Sequence, residues 1–372
     1  MSNEWQYSLL KKLSAFTCKL SYRTILRIGE TLGPLYSLFG KKQKKRGIKN
    51  VMIGLGVSEA EAEEVLGELF KNLGRSALEI LYMPNLTKEF IDEHIEMHGL
   101  AYLDKALAEQ RGVVILTAHV GNWEWMGAAL AAAGYPSTTI VKKQPNAQVT
   151  RLLNEYREMV GLEVFARGGS EMIRAVKAMK QKKLLGFLAD QDGYIQGFPV
   201  EFLGQESSAV IGPATFAQKF KAPVVPVFAH RKADGIGHVV EILPPLYYED
   251  TGNEQEDLYR LTEATVWVTE EFIKAHPTEW LWFQHRWNTK LHEIENIEEK
   301  LKVRDAVHAR DRQNGASAAN QAMTVESHEK SHEKSHEVPH SNVTEGASTA
   351  QDFKVSDDTQ AQQEAVNSDV EK

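Results

Sequence analysis

His119 stands at a place in this sequence where side chains often do chemistry. The segment His119-Val-Gly-Asn-Trp-Glu124 follows directly on Gly112-Val-Val-Ile-Leu-Thr-Ala118, a short run that is nearly all apolar and rich in β-branched residues. Such a run reads as a strand buried on both faces. An imidazole titrates near neutrality and can take a proton from a hydroxyl, while a carboxylate beside it can fix its tautomer and stabilise the imidazolium. The spacing says where the two must sit. Five positions on one ideal helix turn through about 500°, so His119 and Glu124 cannot pair inside regular helix. Pairing requires His119 in the loop at the strand's end, with Gly121 or Asn122 starting a helix whose first turn carries Glu124. The spacing itself is uninformative, because His328 with Glu333, His332 with Glu337 and His340 with Glu345 repeat it in a polar stretch. Only His119 follows a buried strand, and ligands in open α/β sheets gather at the carboxyl ends of strands. A hydrogen-bonded loop histidine is the other reading of the same residues, and the motif alone leaves both open.

The elements that would position this pair alternate along the chain. Apolar runs at 138–141, 162–165, 184–188, 223–228 and 238–243 read as further strands, and helical stretches at 123–133, 147–159, 171–180 and 214–219 lie between most of them. A helix over 258–275 closes the series. The expected fold class is α/β, a mixed and largely parallel central sheet flanked by helices. Before it, Ser58 and Glu61 form a capping-box pattern opening a helix toward Met83 and Pro84, and 87–94 and 100–110 read as short helices. The organisation expected is a basic amphipathic segment over 1–46, a main domain over 47–297 and a disordered polar tail over 298–372.

The formal net charge of −8 and the lack of a basic stripe with interleaved aromatics exclude a nucleic-acid binder. Charge is nevertheless segregated. Residues 1–46 carry Lys11, Lys12, Lys19, Arg23, Arg27, Lys41, Lys42, Lys44, Lys45 and Arg46 against Glu4 and Glu30. Leu9, Leu13, Phe16 and Leu20 recur there at helical spacing, and Ile25, Ile28, Leu32 and Leu35 continue the pattern. A basic amphipathic segment of this kind can lie in the headgroup plane of an anionic membrane or pack on the protein's own core, and both can hold for different halves. No apolar window is long enough for a transmembrane helix, and no cleavable signal stands out. Cys18 is the single cysteine, which rules out an intramolecular disulfide and fits a reducing compartment. In the tail, Ser-His-Glu-Lys occurs in tandem at Ser327 and Ser331; its composition reads as a solvated linker, not a metal site.

Several blocks, in order, resemble one family. His119 to Glu124 resembles the His-x-x-x-x-Asp/Glu block of the glycerolipid acyltransferase superfamily, specifically of the bacterial lipid A biosynthesis (lauroyl/myristoyl) branch, which uses Glu. Phe187-Leu-Ala-Asp-Gln-Asp192 is similar to its Asp-Gln segment. Phe198-Pro-Val-Glu-Phe-Leu-Gly204 is similar to its Val-Pro-Phe-Phe-Gly segment, with Glu201 and Leu203 as departures. Ala222-Pro-Val-Val-Pro-Val227 and Glu279-Trp-Leu-Trp-Phe-Gln-His-Arg-Trp287 match later blocks.

The resemblance implies transfer of a fatty-acyl chain from acyl-carrier protein or acyl-CoA to a hydroxyl of a lipid A precursor in lipopolysaccharide biosynthesis. His119 is then the expected general base and Glu124 the group that orients it, the logic of a serine-hydrolase triad with the acceptor's hydroxyl in place of the serine. Arg167 follows a strand and would meet a phosphate or the developing oxyanion, or else is a surface arginine. Asp190, Gln191 and Asp192 would bind an acceptor headgroup, or the aspartates cap a turn into Gly193. No cofactor or metal is expected, because this reaction needs none. The expected location is the inner, cytoplasmic membrane, peripheral or monotopic, with the site facing the cytoplasm. The alternatives are another glycolipid or lysophospholipid acceptor, a non-catalytic membrane binder of the same fold, and a thioesterase or lipid hydrolase. For the last, Gly169-Ser170-Glu171 lacks the Gly-x-Ser-x-Gly form of a nucleophile elbow.

Overall fold

The computed structural model describes residues 4–141, 146–166 and 171–314. In chain order its elements are α1 (Glu4–Thr17), α2 (Tyr22–Phe39), α3 (Lys41–Leu55), α4 (Glu59–Tyr82), α5 (Lys88–His94), β1 (Ile95–His98), α6 (Leu100–Ala108), β2 (Val113–Thr117), α7 (Trp123–Ala132), β3 (Ser137–Val141), α8 (Ala147–Met159), β4 (Glu163–Ala166), α9 (Glu171–Lys180), β5 (Leu184–Leu188), β6 (Phe198–Phe202), β7 (Gln205–Ala209), α10 (Gly212–Phe220), β8 (Val224–Arg231), β9 (His238–Ile242), α11 (Glu254–Ala275) and α12 (Ile297–Asn314). A seven-stranded sheet runs β1-β9-β8-β2-β5-β3-β4, and β6 and β7 form a separate antiparallel hairpin. Every neighbouring pair in the large sheet is parallel except β8 with β9. The expected mixed, largely parallel α/β fold is what the chain adopts.

β2 lies at the centre, and all five of its residues are buried. Alternation divides them between two cores. Val114 and Leu116 pack with α4, α10 and α11 residues such as Leu69, Phe216 and Tyr259, while Val113 and Ile115 face Ile25, Trp125 and Tyr156 from α2, α7 and α8. This two-sided cover is why the run is apolar at every position instead of every second one. Parallel pairing then aligns the strand ends: Thr117 pairs with Leu188, so the second residue beyond each strand, His119 and Asp190, meets the other at the carboxyl edge.

Ser58 caps α4 as its sequence predicts, accepting from the Glu61 amide while the Glu61 carboxylate accepts from the Ser58 amide. β1, β6 and β7 escaped the pattern reading. β1 is four residues long with Glu96 and His98 turned outward, β6 alternates Phe198, Val200 and Phe202 with Pro199 and Glu201, and β7 is polar from Gln205 to Ser208.

Two domain expectations are corrected. No break falls at residue 46, because α3 runs through it from Lys41 to Leu55. The chain also stays helical past 297: α12 buries Val307 against the main core and pairs Arg260 with Asp311 and Arg310 with Glu256. Its apolar positions are few and its charges many, which is why composition alone reads it as tail. Residues 315–372, which hold the remainder of the expected disordered tail and its His-rich repeats, lie outside the described residues.

α2 packs on α4 through glycines. A Cβ on Gly33 would sit 1.9 Å from the Phe70 carbonyl oxygen, and one on Gly74 would sit 2.0 Å from that of Gly29. These helices touch backbone to backbone, and no side chain fits between them. Gly74→Ala should therefore lower the unfolding free energy by about 1–3 kcal/mol in chemical denaturation. Gly67→Ala on the same helix, where an added Cβ meets nothing within 4 Å, should raise it by roughly 0.5–1 kcal/mol.

Candidate active site

The loop after β2 carries His119, and a segment far along the chain holds that loop in place. The Gly121 amide donates to the Glu279 carbonyl at 3.0 Å, the Leu281 amide donates to the His119 carbonyl at 3.3 Å, and Val120 forms an antiparallel bridge with Trp280. Gly121 has φ of +57°, and a Cβ there would lie 2.2 Å from the Ala229 carbonyl oxygen, so both its conformation and its surroundings call for glycine. Asn122 ends the loop and starts α7. Its Oδ1 accepts from the Trp125 amide, while its Nδ2 donates to Glu79 Oε2 at 2.9 Å.

Glu79 is the buried anchor of this arrangement. Its carboxylate also accepts from Arg231 Nη1 at 2.7 Å and Nη2 at 2.9 Å, from Tyr22 OH at 2.8 Å and from His238 Nε2 at 3.0 Å. Burial raises its pKa, yet the Arg231 and His238 charges and hydrogen bonds outweigh burial and hold it well below the usual carboxylate range. The helix-to-sheet contact under the loop is thus a buried, bidentate ion pair, whose disruption on one side typically costs about 3–5 kcal/mol.

At the site itself, His119 Nδ1 lies 2.8 Å from Asp190 Oδ1. The other Asp190 oxygen accepts from Trp280 Nε1 at 2.8 Å and Gln284 Nε2 at 2.9 Å. The Asp190 side chain is wholly buried and the His119 side chain is 20% exposed. Burial by itself favours the neutral acid, but the His119 charge and the hydrogen bonds from His119, Gln284 and Trp280 reverse this and keep Asp190 strongly ionised. An ionised carboxylate only accepts, so the proton of the neutral imidazole sits on Nδ1. Nε2 then presents a lone pair. It has no hydrogen-bond partner among the described residues, on a side chain that is partly exposed. Burial opposes the charged imidazolium, but the Asp190 charge and hydrogen bond, aided by the Glu124 charge, outweigh it and raise the His119 pKa above 6.5.

Glu124 does not make the contact expected of it. Its carboxylate is held by Arg157 of α8, with Nε 2.8 Å from Oε2 and Nη2 on Oε1, and Trp123 Nε1 donates to it at 3.2 Å. The group hydrogen-bonded to the imidazole is Asp190. The physical reason is register: parallel pairing of β2 with β5 brings Asp190 beside His119, whereas Glu124, buried in the first turn of α7, turns toward α8.

Residues 1–289 match the sequence profile described as bacterial lipid A biosynthesis acyltransferase. The chain belongs to this family. Among its relatives, phosphatidylinositol mannoside acyltransferase of Mycobacterium tuberculosis is 26% identical over 251 residues, 66% of this chain and 77% of that protein. Lipid A biosynthesis acyltransferase of Haemophilus influenzae is 24% identical over 245 residues, covering 65% and 74%. Lipid A biosynthesis lauroyltransferase of Escherichia coli is 22% identical over 275 residues, covering 73% and 88%. The protein is an acyltransferase.

The acyltransferase places the other expected site residues differently from one another. Asp190 has no room for an acceptor headgroup, since all its bonding is internal. Asp192 is likewise turned inward, accepting from the Tyr194 amide at 2.9 Å and the Thr289 amide at 2.8 Å; it caps the turn after β5 and ties it to the chain beyond the Trp-rich block. Gln191 alone of the three is exposed, 3.3 Å from Gln284 Oε1. Arg167 lies outside the described residues, as does Ser170. Trp280 and Gln284, to which sequence reasoning assigned no chemical role, hold the buried carboxylate. The available signal was the indole of a fully buried tryptophan, which requires an acceptor. A recess at Tyr22, His94, Lys232 and Asp234 is polar and includes neither His119 nor Asp190.

Asp190→Asn should lower the acyl-transfer rate about 10²–10⁴-fold, the usual scale of acid–base assistance. The sign of the accompanying pH effect follows from the raised His119 pKa. A base must be deprotonated to act, so the acidic limb of the wild-type pH–rate profile lies above pH 6.5, and loss of the carboxylate moves it toward lower pH. Rates measured across pH for both proteins check this.

Proposed function

We propose that the chain transfers a fatty-acyl group from a carrier thioester to a hydroxyl of a membrane glycolipid, a lipid A precursor in the first instance, with His119 as general base held by Asp190. His119 Nε2 takes the acceptor's hydroxyl proton as the oxygen attacks the thioester carbonyl. The tetrahedral intermediate collapses, the carbon–sulfur bond breaks, and the imidazolium returns the proton to the departing thiolate. Ester and free thiol result, and no acyl group is attached to the enzyme. Asp190 stabilises the imidazolium between the two proton transfers. Glu124, locked to Arg157, adds negative potential beside the ring. The observation that carries this reading is the Nδ1 contact with a buried, ionised carboxylate, which leaves Nε2 as an accessible base.

The acceptor's class is supported by the relatives named above. Those relatives act in lipid A biosynthesis and on phosphatidylinositol mannosides, so an inositol glycolipid or lysophospholipid is the alternative acceptor. The donor is proposed to be acyl-carrier protein, with acyl-CoA as the alternative.

The surface of α1 supports work at a membrane. Trp5 is 65% and Phe16 60% exposed, and Leu9 and Leu13 join them on one face, with Lys12 and Lys19 exposed nearby. The opposite face packs inward, where Ser14 bonds the Leu81 carbonyl and Tyr156. α2 divides in the same way: Ile25 and Leu26 are buried while Ile28, Leu32 and Leu35 are exposed. α1 approaches the start of α8 through Glu4 with Arg151 and Gln6 with Asn146. α8 follows β3 in the chain, and the N-terminus of α1 lies against the N-terminus of that helix. Met172 and Ile173, at the start of α9, are further exposed apolar residues. No described helix is long and apolar enough to cross a membrane; these features fit a peripheral or monotopic protein on the inner membrane, its site open to the cytoplasmic face.

His119→Ala should reduce acyl transfer at least 10²-fold while leaving vesicle binding unchanged. Donor supplied without acceptor should yield no acyl-enzyme by intact-protein mass spectrometry; a stable acyl adduct would favour the hydrolase alternative. Conversely, Trp5→Asp with Phe16→Asp should cut vesicle binding by tenfold or more, because each fully buried apolar side chain contributes roughly 1.5–3 kcal/mol. Lipid mass spectrometry of cells lacking the protein identifies the acceptor.

A further inference from the structure

The chain as a whole carries a net charge of −8, yet residues 41–49 hold six cations and no acid. Among them Lys44 pairs with Glu63, and Arg46 is engaged with the Phe283 carbonyl and with His285 Nε2 at 2.7 Å. Lys41, Lys42, Lys45 and Lys49 are exposed and have no ion pair among the described residues. Their place in the fold gives this patch its meaning.

α3 lies along the segment that builds the site. Asn50 Nδ2 donates to the Trp282 carbonyl at 2.7 Å, and Arg46, one turn earlier, reaches residues 283 and 285. Between those anchors, Gln284 donates to Asp190 and meets Gln191. Lys45 and Lys49 each precede an anchoring residue by one position, so they flank the docked face of the helix one turn apart, and Lys42 extends that face by another turn. The free cations are therefore attached to the short stretch of chain that also holds the catalytic carboxylate.

We propose that the exposed lysines of α3 dock the acyl donor as an acidic carrier protein, so that its tethered thioester enters beside His119; this rests on the acyl-transfer reading above. Three observations favour an acidic protein over an anionic bilayer. The exposed side of α3 is cationic with Ile53 as its single large exposed apolar residue, while Val51 is buried and Ile48, Met52 and Leu55 pack on the core. A helix that lies in a membrane needs an apolar face free to enter it, and α1 and α2 supply such faces where α3 does not. Finally, an acidic partner is repelled by a chain of net negative charge except where cations are concentrated, so the patch selects the approach that ends at the site.

The test uses the full chain with Lys42→Glu, Lys45→Glu and Lys49→Glu combined, and three readouts. With acyl-loaded acyl-carrier protein, kcat/KM should fall tenfold or more, carried by KM. With acyl-pantetheine, a neutral donor lacking the carrier, kcat/KM should stay within about twofold of wild type. Flotation with anionic vesicles should not change, and replacing the same lysines with arginine should retain carrier-dependent activity. Equal loss with both donors, loss of flotation without donor selectivity, or no effect with the carrier each overturns the proposal. Wild-type protein inert with both donors would instead sink the acyl-transfer reading beneath it. A folded variant active on acyl-pantetheine keeps these failures distinct.

Discussion

The carboxylate of Asp190 is the group on which the site depends. Buried without exposure, it would ordinarily be neutral, yet the imidazole of His119, the indole of Trp280 and the amide of Gln284 all donate to it. Those donors keep it ionised, and an ionised acceptor determines which nitrogen of His119 carries the proton. Nε2 is thereby left basic and reachable. Hydrogen bonds to a charged partner in a low-dielectric setting are also the strong ones, so the same contacts that set the tautomer hold the ring's orientation.

The segment running from Glu279 to His285 integrates the arrangement. Its backbone pairs with the His119 loop through the Gly121 and Leu281 amides, its side chains hold Asp190, and its last residues meet α3. From below, the Glu79–Arg231 pair secures the same loop through Asn122. A loop clamped from both sides loses little entropy when substrates arrive, which is what preorganisation of a base requires. Membership in the lipid A acyltransferase family fits this construction, and α1 and α2 each keep an apolar face exposed.

Much of this was legible before any coordinates. The buried strand before His119 pointed to the candidate site, the strand and helix periodicities predicted the fold class, and Ser58 with Glu61 marked the start of α4. What escaped has a common physical origin. Proximity in sequence pointed from His119 to Glu124, but strand register, a long-range property, delivered Asp190 instead and sent Glu124 to Arg157. Asp190 and Asp192 stood out as polar residues at a strand's end; whether such groups face a ligand or the interior depends on donors supplied from the Trp280 block, which no local pattern reveals. β1 alternates Ile95 and Met97 with Glu96 and His98 but is only four residues long, β6 has a proline within its alternation, and β7 is polar from Gln205 to Ser208. α12 hid behind its charges, since ion pairs with α11 compensate for a meagre apolar stripe.

The central claim concerns one proton and its nitrogen, and nuclear magnetic resonance of the His119 imidazole with ¹⁵N labelling reads it directly. Across a pH titration of the wild-type protein, the neutral ring should carry its proton on Nδ1 and the midpoint should lie above 6.5, as the Asp190 contact requires. A neutral ring protonated on Nε2, or a midpoint at or below 6.5, would contradict the account.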